Sequence, residues 1–472
     1  MYSIPARFLK RLRTTLGLTM LTLLAGCASM ETPPSPDTVP LPGQFAPPGS
    51  ATLAPHWWRH FQDPRLNRII DQTLNGSFDL AAARSRLLQA RAAARVSGAD
   101  QYPSLDAAAD ASVTHDDAGT RKRYALGLAA AYEVDLWGRI DALAEVGQLQ
   151  AQASGEDLRA ARLSVTAEAG TTFYSLLRQR AVVDLLQQQK AVNASIADLI
   201  EVRVRNGRAQ VDEWLRQQQL VESSQSELVS ARAELSRLRH QLAAISGLPS
   251  ENLVLPEGHD SVTLPPLPTV GVPAQWLNRR PDLRAAWLRV QAADATLAAS
   301  IAAQYPRIDL SASLETAATS PSGLFEDWIR QLAANLTLPL FRGGELEAAV
   351  DRDRAARAVA FNDFAQTVQD AVAEVETALS NSQYDRERLN SLQRRLDLAD
   401  KVTVQLRRRY LNGAGDYLDV LSALNTLQDI QRQHLEARWA LVLDRIALIR
   451  TIAGGWSTSG ENETQPSSGS SS

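Results

Sequence analysis

Two sets of residues in this sequence are of a type and spacing that could do chemistry. One is Cys27, the only cysteine of the chain, so no intramolecular disulfide is available and the thiol is left for modification. The other is a pair of charged clusters set on glycine-containing breaks. Arg205, Asn206, Gly207, Arg208, Asp212 and Glu213 form the first, and Arg409, Asn412, Gly413, Asp416, Tyr417 and Asp419 the second. Carboxylates and guanidiniums brought together in this way repel, pair, and hold or release neighbouring segments; they do not by themselves make or break bonds. The groupings that catalysis needs are missing from the sequence: the six histidines are scattered, and there is no His-x-x-His, Cys-x-x-Cys, P-loop, Gly-x-Ser-x-Gly or Gly-x-Gly-x-x-Gly pattern. The expectation is a protein that is not an enzyme, with no cofactor and no metal.

The elements that must position these clusters are repeated. Arg409 to Leu421 matches Arg203 to Leu215 at an offset of 206, and Asp282-Leu283 to Tyr305-Pro306 matches Asp79-Leu80 to Tyr102-Pro103 at an offset of 203. Between these anchors Glu133-Val134-Asp135-Leu136-Trp137-Gly138-Arg139 stands where Thr337-Leu338-Pro339-Leu340-Phe341-Arg342-Gly343 stands in the second half. A tandem duplication of about 205 residues accounts for all three matches. Asn-Gly and Gly-Ala-Gly break a helix and permit positive φ, while the flanking residues run helically without proline, so each break reads as the tip of an antiparallel helical hairpin.

Residues 1–26 carry Arg7, Lys10, Arg11 and Arg13, an apolar run from Leu16 to Leu24, and small residues before Cys27, which is the pattern of a signal peptide. The run is far short of the roughly 20 residues of a membrane-spanning helix. Leu24-Ala25-Gly26-Cys27 resembles the bacterial lipobox, in which the cysteine becomes the lipidated N-terminus. Ala28 is not the aspartate that tends to retain such proteins at the inner membrane, so the resemblance points to the outer one. Removing residues 1–26 takes four positive charges and moves the net charge from −4 to −8. A mildly acidic chain without a basic cluster is a poor partner for nucleic acid.

Residues 27–62 are expected to be a lipid-anchored, extended segment, rich in proline. A first repeat spans 63–247. Its opening helix has Asp63 as N-cap and Pro64 in the first turn, and should run to about Gly98. From Leu105 the period becomes two: Leu105, Ala107, Ala109, Ala111 and Val113 alternate with Asp106, Ala108, Asp110, Ser112 and Thr114. A second alternation sets Tyr124, Leu126, Leu128, Ala130, Tyr132, Val134 and Leu136 against Ala125, Gly127, Ala129, Ala131, Glu133 and Asp135, so 105–136 reads as a β-hairpin, either of a transmembrane barrel or of a soluble surface. A long helical hairpin follows, with its tip near 206–213. A Pro-rich linker, 248–273, leads to the second repeat, 274–456, with its hairpin at 308–340 and its tip near 412–419; 457–472 reads as a disordered tail. No proline lies between Pro103 and Pro249 or between Pro339 and Pro466, which leaves room for helices of roughly 100 Å. Leu435, Trp439, Val442, Ile446 and Ile449 follow a heptad seam, and Phe364, Val368, Val372, Val375 and Leu379 a similar stripe.

Four apolar-faced strands cannot close a barrel in lipid, where an open edge is forbidden and the smallest single-chain barrels have about eight strands. Two copies would leave an interior filled by side chains, so a pore favours three copies and twelve strands. In this order of parts the chain resembles the TolC-like outer-membrane efflux proteins, in the lipobox-bearing branch that partners resistance-nodulation-division pumps. The residues that carry the likeness are Leu24 to Cys27, Trp57-Trp58 with Phe61-Gln62-Asp63-Pro64, Arg279-Arg280-Pro281-Asp282-Leu283, Tyr305-Pro306, Glu133 to Arg139, Pro339 to Gly344, and the tip from Arg409. The resemblance implies a mainly α fold with a transmembrane β-barrel portion: a homotrimeric 12-stranded barrel continued by a periplasmic α-helical barrel. It further implies a passive exit duct for small solutes such as drugs, docked on a periplasmic adaptor protein and an inner-membrane transporter. The readings left beside it are a lipid-anchored periplasmic coiled-coil structural or adaptor protein, and an exit duct for type I protein secretion.

Within that frame the charged clusters become a periplasmic gate. Three copies of Asp416 and Asp419 would bring six carboxylates towards one axis, with Arg205, Arg208 and Arg409 as the cations that hold them and Asp212, Glu213 and Tyr417 beside them. Asn206, Gly207, Asn412 and Gly413 would be the tips that dock the adaptor. Asp416 also stands where a helix N-cap belongs, with Asp419 favouring the same dipole, and the two roles are compatible. Asp106, Asp110, Glu133, Asp309 and Glu315 would face the lumen as an acidic, cation-preferring lining, or else simply face solvent.

Overall fold

The period-two stretches and the proline-free stretches separate into strands and helices where the sequence changes period. In the computed structural model, residues 56–117, 119–253, 262, 264–267 and 279–452 are described, all within the unit Leu41–Ser472. The predicted signal peptide, Cys27, residues 28–55, most of the linker and the tail lie outside the described residues. A 3₁₀ turn, Trp57–Phe61, precedes α1 (Pro64–Gly76) and α2 (Phe78–Ala99). Then come β1 (Ser104–Asp116), β2 (Gly119–Val134), α3 (Arg139–Arg205) and α4 (Val211–Ile245). The second half gives α5 (Pro281–Ala302), β3 (Arg307–Ala318), β4 (Ile329–Thr337), α6 (Glu345–Leu411) and α7 (Tyr417–Thr451). Helices α3 and α6 have 67 residues each, about 100 Å at 1.5 Å per residue.

Three expectations are corrected. Residues 57–62 are not tether: Trp57, Trp58 and Phe61 are buried against Phe173, Tyr174, Leu176 and Leu177 of α3, and the Trp57 indole N–H donates to Thr166 Oγ1 at 3.3 Å. The single helix expected from Pro64 to Gly98 is two, because the chain after α4 crosses it at Gly76. A Cβ on Gly247 would lie 2.0 Å from the Gly76 carbonyl oxygen, and Thr73 Oγ1 meets Ser246 Oγ at 3.0 Å. The backbones touch, so Ser77 turns to an extended ψ of 123° and a new helix starts. The strands end at Val134 and Thr337, short of 136 and 340; Leu338 and Leu340 lie beyond β4, ahead of Gly343 and Gly344, whose φ angles are +58° and +83°.

The helices pack in two tiers around α3. It contacts α2, α4, α5 and α7, while α6 contacts α5 in one tier and α7 in the other. The rows are therefore α2–α3–α5–α6 and α4–α3–α7–α6. Their common core joins Leu66, Ile69 and Ile70 of α1, Leu238 and Leu242 of α4, and the seam Trp439, Val442, Ile446 and Ile449 of α7. Val368, Val372, Val375 and Leu379 of α6 are buried as their stripe requires. Burying each aliphatic side chain contributes about 1.5–3 kcal/mol.

The sheet order is β1-β2-β3-β4, antiparallel throughout. Register places Ala107 opposite Leu128, Leu128 opposite Leu314, and Ile308 opposite Leu336, so the apolar positions of all four strands share one face. Asp106, Asp110, Glu133, Asp309 and Glu315 share the other. Most of the apolar face is uncovered, with Leu105 71%, Leu332 84% and Leu336 70% exposed; Thr316 is buried, its hydroxyl donating to Leu324 O of the loop that follows β3.

Candidate functional site

Each charged break is a helix end built to one plan. At the end of α3, Arg208 N donates to Arg203 O at 2.8 Å and Gly207 N to Val204 O at 2.9 Å; at the end of α6, Ala414 N donates to Arg409 O at 2.9 Å and Gly413 N to Tyr410 O at 3.0 Å. These paired bonds close a Schellman motif, which needs a left-handed residue just past the helix. Gly207 and Gly413 supply it, with φ of +66° and +74°. The next helices are capped at once: Asp416 Oδ1 accepts from Leu418 N at 2.8 Å, and Gln210 N donates to Glu213 Oε1 at 3.4 Å. Asp416 thus performs the capping role, and Asp419 follows in the first turn of α7.

Most of the expected gate cations are engaged within their own tips. Arg205 pairs with Glu201 at 2.5 Å, Asp212 with Arg216 at 3.6 Å, and Arg409 donates to Ala414 O at 3.3 Å. Arg208 accepts on its carbonyl from Arg203 at 3.4 Å, and Asn206 Nδ2 donates to Val202 O at 2.7 Å. Asn412 is the C-cap of α6, and Asp416 and Asp419 are exposed.

The two tips are joined by Glu213 and Tyr417, both expected at the gate, and by Tyr410 and Gln217, which were not. Tyr410 and Tyr417 are buried with Ile200 and Val420, their rings 5.8 Å apart, and Trp214 packs alongside. The Tyr410 hydroxyl donates to Glu213 Oε2 at 2.5 Å, and the Arg203 guanidinium lies 4.7 Å over the Tyr410 ring. Burial, then the Glu213 carboxylate, push the Tyr410 phenol up to about 12. The Tyr417 hydroxyl donates to Gln217 Oε1 at 2.7 Å, and burial raises its pKa as well. A ladder of amides continues along the helices. Gln217 Nε2 donates to Asn193 O at 2.8 Å, Gln428 Nε2 to Asn193 Oδ1 at 2.7 Å, and Arg432 Nη1 to Gln189 Oε1 at 2.8 Å. Phenol on carboxylate and side-chain amides thus tie α6 and α7 to α3 and α4 through exchangeable bonds, beside the small apolar cluster of Ile200, Tyr410, Tyr417 and Val420. Two tyrosines seven residues apart across a glycine tip were the visible signal; their partners, some 200 residues away, were not.

The acidic face of the sheet is less acidic than its composition suggests. Glu133 binds Arg139 at 2.7 Å, Asp309 binds Arg307 at 3.0 Å and Glu315 binds Arg123 at 3.0 Å, which leaves Asp106 and Asp110 of the five. Among the described residues no three His, Cys, Asp or Glu side chains are grouped to hold a metal, and no helix is long and apolar enough to cross a membrane.

Comparison with known proteins bears directly on this arrangement. The pattern of the family described as outer membrane efflux protein matches residues 69–248 and 272–454. The pyoverdine export outer membrane protein OpmQ of Pseudomonas putida is 29% identical over 92% of this chain and 96% of its own. The cation efflux system protein CusC of Escherichia coli O6:H1 is 26% identical over 85% of this chain and 88% of its own. Among solved structures, the outer membrane protein VceC of Vibrio cholerae superposes with a TM-score of 0.81 at 26% identity, covering 86% of this chain and 100% of VceC.

Proposed function

This chain belongs to the outer membrane efflux protein family, the exit ducts of efflux pumps in the outer membrane with a periplasmic extension, and from that premise we propose that three copies close one passive conduit gated at the helical tips. The observation that carries the proposal is a pair of unfinished edges. In the sheet, among the described residues, β1 and β4 each lack a neighbour on one side, and an open edge cannot face lipid. In the helical rows the outer members are α2 and α4 on one side and α6 on the other, and there large apolar side chains stand exposed. They are Phe78, Leu88 and Val96 on α2, Val229 on α4, and Val359, Tyr384 and Leu398 on α6. Edges that differ from each other must join head to tail, and a head-to-tail contact closes into a ring where its rotation divides a full turn, as a lipid-embedded sheet with no free edge requires. Twelve strands give that ring a lumen.

The tips close the conduit, with the Tyr410–Glu213 and Tyr417–Gln217 bonds as the latch and Asp416 and Asp419 facing the axis. The exposed tip residues Asn206, Gly207, Asn412 and Gly413 would meet a periplasmic adaptor, which in turn would seat an inner-membrane transporter. Cys27 would carry the lipid anchor. The duct performs no catalysis. OpmQ is named for pyoverdine export and CusC for cation efflux, so one architecture serves chemically different cargo; the solutes that pass here would be chosen by the pump. The native mass of the detergent-solubilised protein tests the proposal, with three copies expected. A monomer that retains its helical content would end it.

A further inference from the structure

The two faces of the sheet treat their basic residues differently. On the face that holds Glu133 and Glu315, Arg121 is bound to Asp116, Arg123 to Glu315 at 3.0 Å and Arg307 to Asp309 at 3.0 Å. The apolar face carries Leu128, Leu126, Tyr124 and then Lys122 along β2, and Leu336, Ala334, Leu332 and then Arg330 along β4. Lys122 and Arg330 are exposed, and among the described residues neither makes an ion pair or hydrogen bond. The only other basic residue on that face is His115, which bonds Thr120 at 2.9 Å, and no carboxylate stands there among the described residues.

Both free cations lie towards the loop end of the sheet. Lys122 is three residues into β2, and Arg330 is the second residue of β4. Phe325 and Trp328 come just before Arg330, 68% and 44% exposed, with rings 6.4 Å apart. Girdles of aromatic side chains are what a barrel presents at the membrane surface, and Trp328 brings the polar N–H that suits such a site. A cation on the lipid face is costly at the bilayer midplane and nearly free near the interface, so these positions suit headgroup level. With the helices in the periplasm, the loop end meets the outer leaflet, and the counter-charge that the chain does not provide has to come from lipid. Arginine grips phosphate through two parallel N–H bonds and lysine as a point charge.

We propose that Lys122 and Arg330 bind the phosphates of the phosphorylated glycolipid of the outer leaflet, lipid A, around the mouth of the barrel. The proposal rests on the outer-membrane placement of the chain. It is tested by measuring equilibrium binding of bis-phosphorylated lipid A to the purified full-length protein in detergent, for wild type, Lys122→Gln with Arg330→Gln, and the opposite-face pair Arg121→Gln with Arg123→Gln. The lipid-face pair should weaken binding by about tenfold or more, since each cation near an anionic surface is worth about 1 kcal/mol. The opposite-face pair should bind like wild type, dephosphorylated lipid A should bind wild type no better than the phosphorylated form binds the lipid-face pair, and Arg330→Lys should keep most of the affinity that Arg330→Gln loses. Equal binding by wild type and the lipid-face pair would overturn the proposal, as would an equal loss in the opposite-face pair. Phosphatidylglycerol bound as tightly as lipid A would overturn the assignment to this glycolipid. Ion conductance read in the same preparations separates the two levels: failure of the duct reading shows in the wild type, whereas failure of the lipid A site shows only between variants.

Discussion

Tyr410 contributes a single hydroxyl, yet that hydroxyl spans two helical hairpins whose sequences lie 197 residues apart. A hydrogen bond to a carboxylate is worth about 1.5–3 kcal/mol, enough to shift a two-state tip by tenfold or more. Tyr410→Phe keeps the buried ring and removes only the latch, so single-channel recordings should show a higher open probability with the melting temperature lowered by only a few degrees. Asp416 separates differently, because its observed contact is a cap. Asp416→Ala should cost about 1 kcal/mol in stability while Asp416→Asn, which caps as well, should cost almost nothing; a thermal scan of both reads this directly. If Asp416→Asn together with Asp419→Asn also alters gating, the charge acts at the axis in addition to the cap. Elsewhere on the latch helices, burial and then a hydrogen bond to Asp385 of α6 raise Asp444 of α7 to about 7, with Arg445 beside it opposing. Arg386 repels Arg445, and Arg388 lies 4.0 Å from Asp385. Because Asp444 binds its proton more tightly folded than unfolded, its contribution is fully present below about pH 4 and is lost as the pH rises to about 7. The melting temperature of Asp444→Asn relative to wild type should therefore climb across that window and level off above it. A flat difference would mean that Asp444 is ionised in the fold throughout. The capping half of the tip was legible in the sequence, since Asn-Gly and an aspartate after Gly-Ala-Gly are local signals. Tyr410–Glu213 was not, because nothing local to either residue names a partner two hundred positions away.

Strands and long helices were legible for the same reason that they are stable: their periods are carried by the residues themselves. Leu105 to Val113 and Tyr124 to Val134 alternate by two, and register then sets all four apolar faces on one side. That assignment is testable at two adjacent positions. Leu128→Arg places a guanidinium on the apolar face at a cost of about 2–4 kcal/mol and should reduce the amount of assembled protein in outer-membrane fractions. Ala129→Arg points to the other face and should assemble normally while changing conductance; the reverse ranking would mean that the faces are exchanged. The break between α1 and α2 carries at Asn75-Gly76 the same Asn-Gly signal that marks a tip, and only its cause was illegible, because the Ser246-Gly247 crossing that fixes it comes from 170 residues along the chain. The buried turn Trp57–Phe61 was missed for a related reason. Proline-rich composition dominates the residues before it, and the aromatic anchors belong to the core that α3 and α7 assemble from far along the chain.

At the scale of the whole molecule the duplication decides most of what is seen: two hairpins, two long helices and two tips, each half unable to cover its own edges. Anchoring is separate from that logic. Cys27→Ser should abolish incorporation of radiolabelled palmitate yet leave channel activity in place, since the apolar sheet face itself prefers the bilayer; label uptake equal to wild type would remove the lipid anchor from the account. On the acidic face of the sheet arginines meet three of the five carboxylates, so if that face lines the proposed conduit its selectivity for cations should be weak and should rest on Asp106 and Asp110. The central claim is that three copies form one water-filled conduit held shut by the tips. Ion conductance across a planar bilayer, with wild type compared to Tyr410→Phe combined with Glu213→Gln, tests it most directly. The account predicts a wild-type channel that is closed most of the time and a variant that is open most of the time at the same unit conductance. Bilayers that stay silent with both proteins, although each is present as a folded trimer, would contradict it.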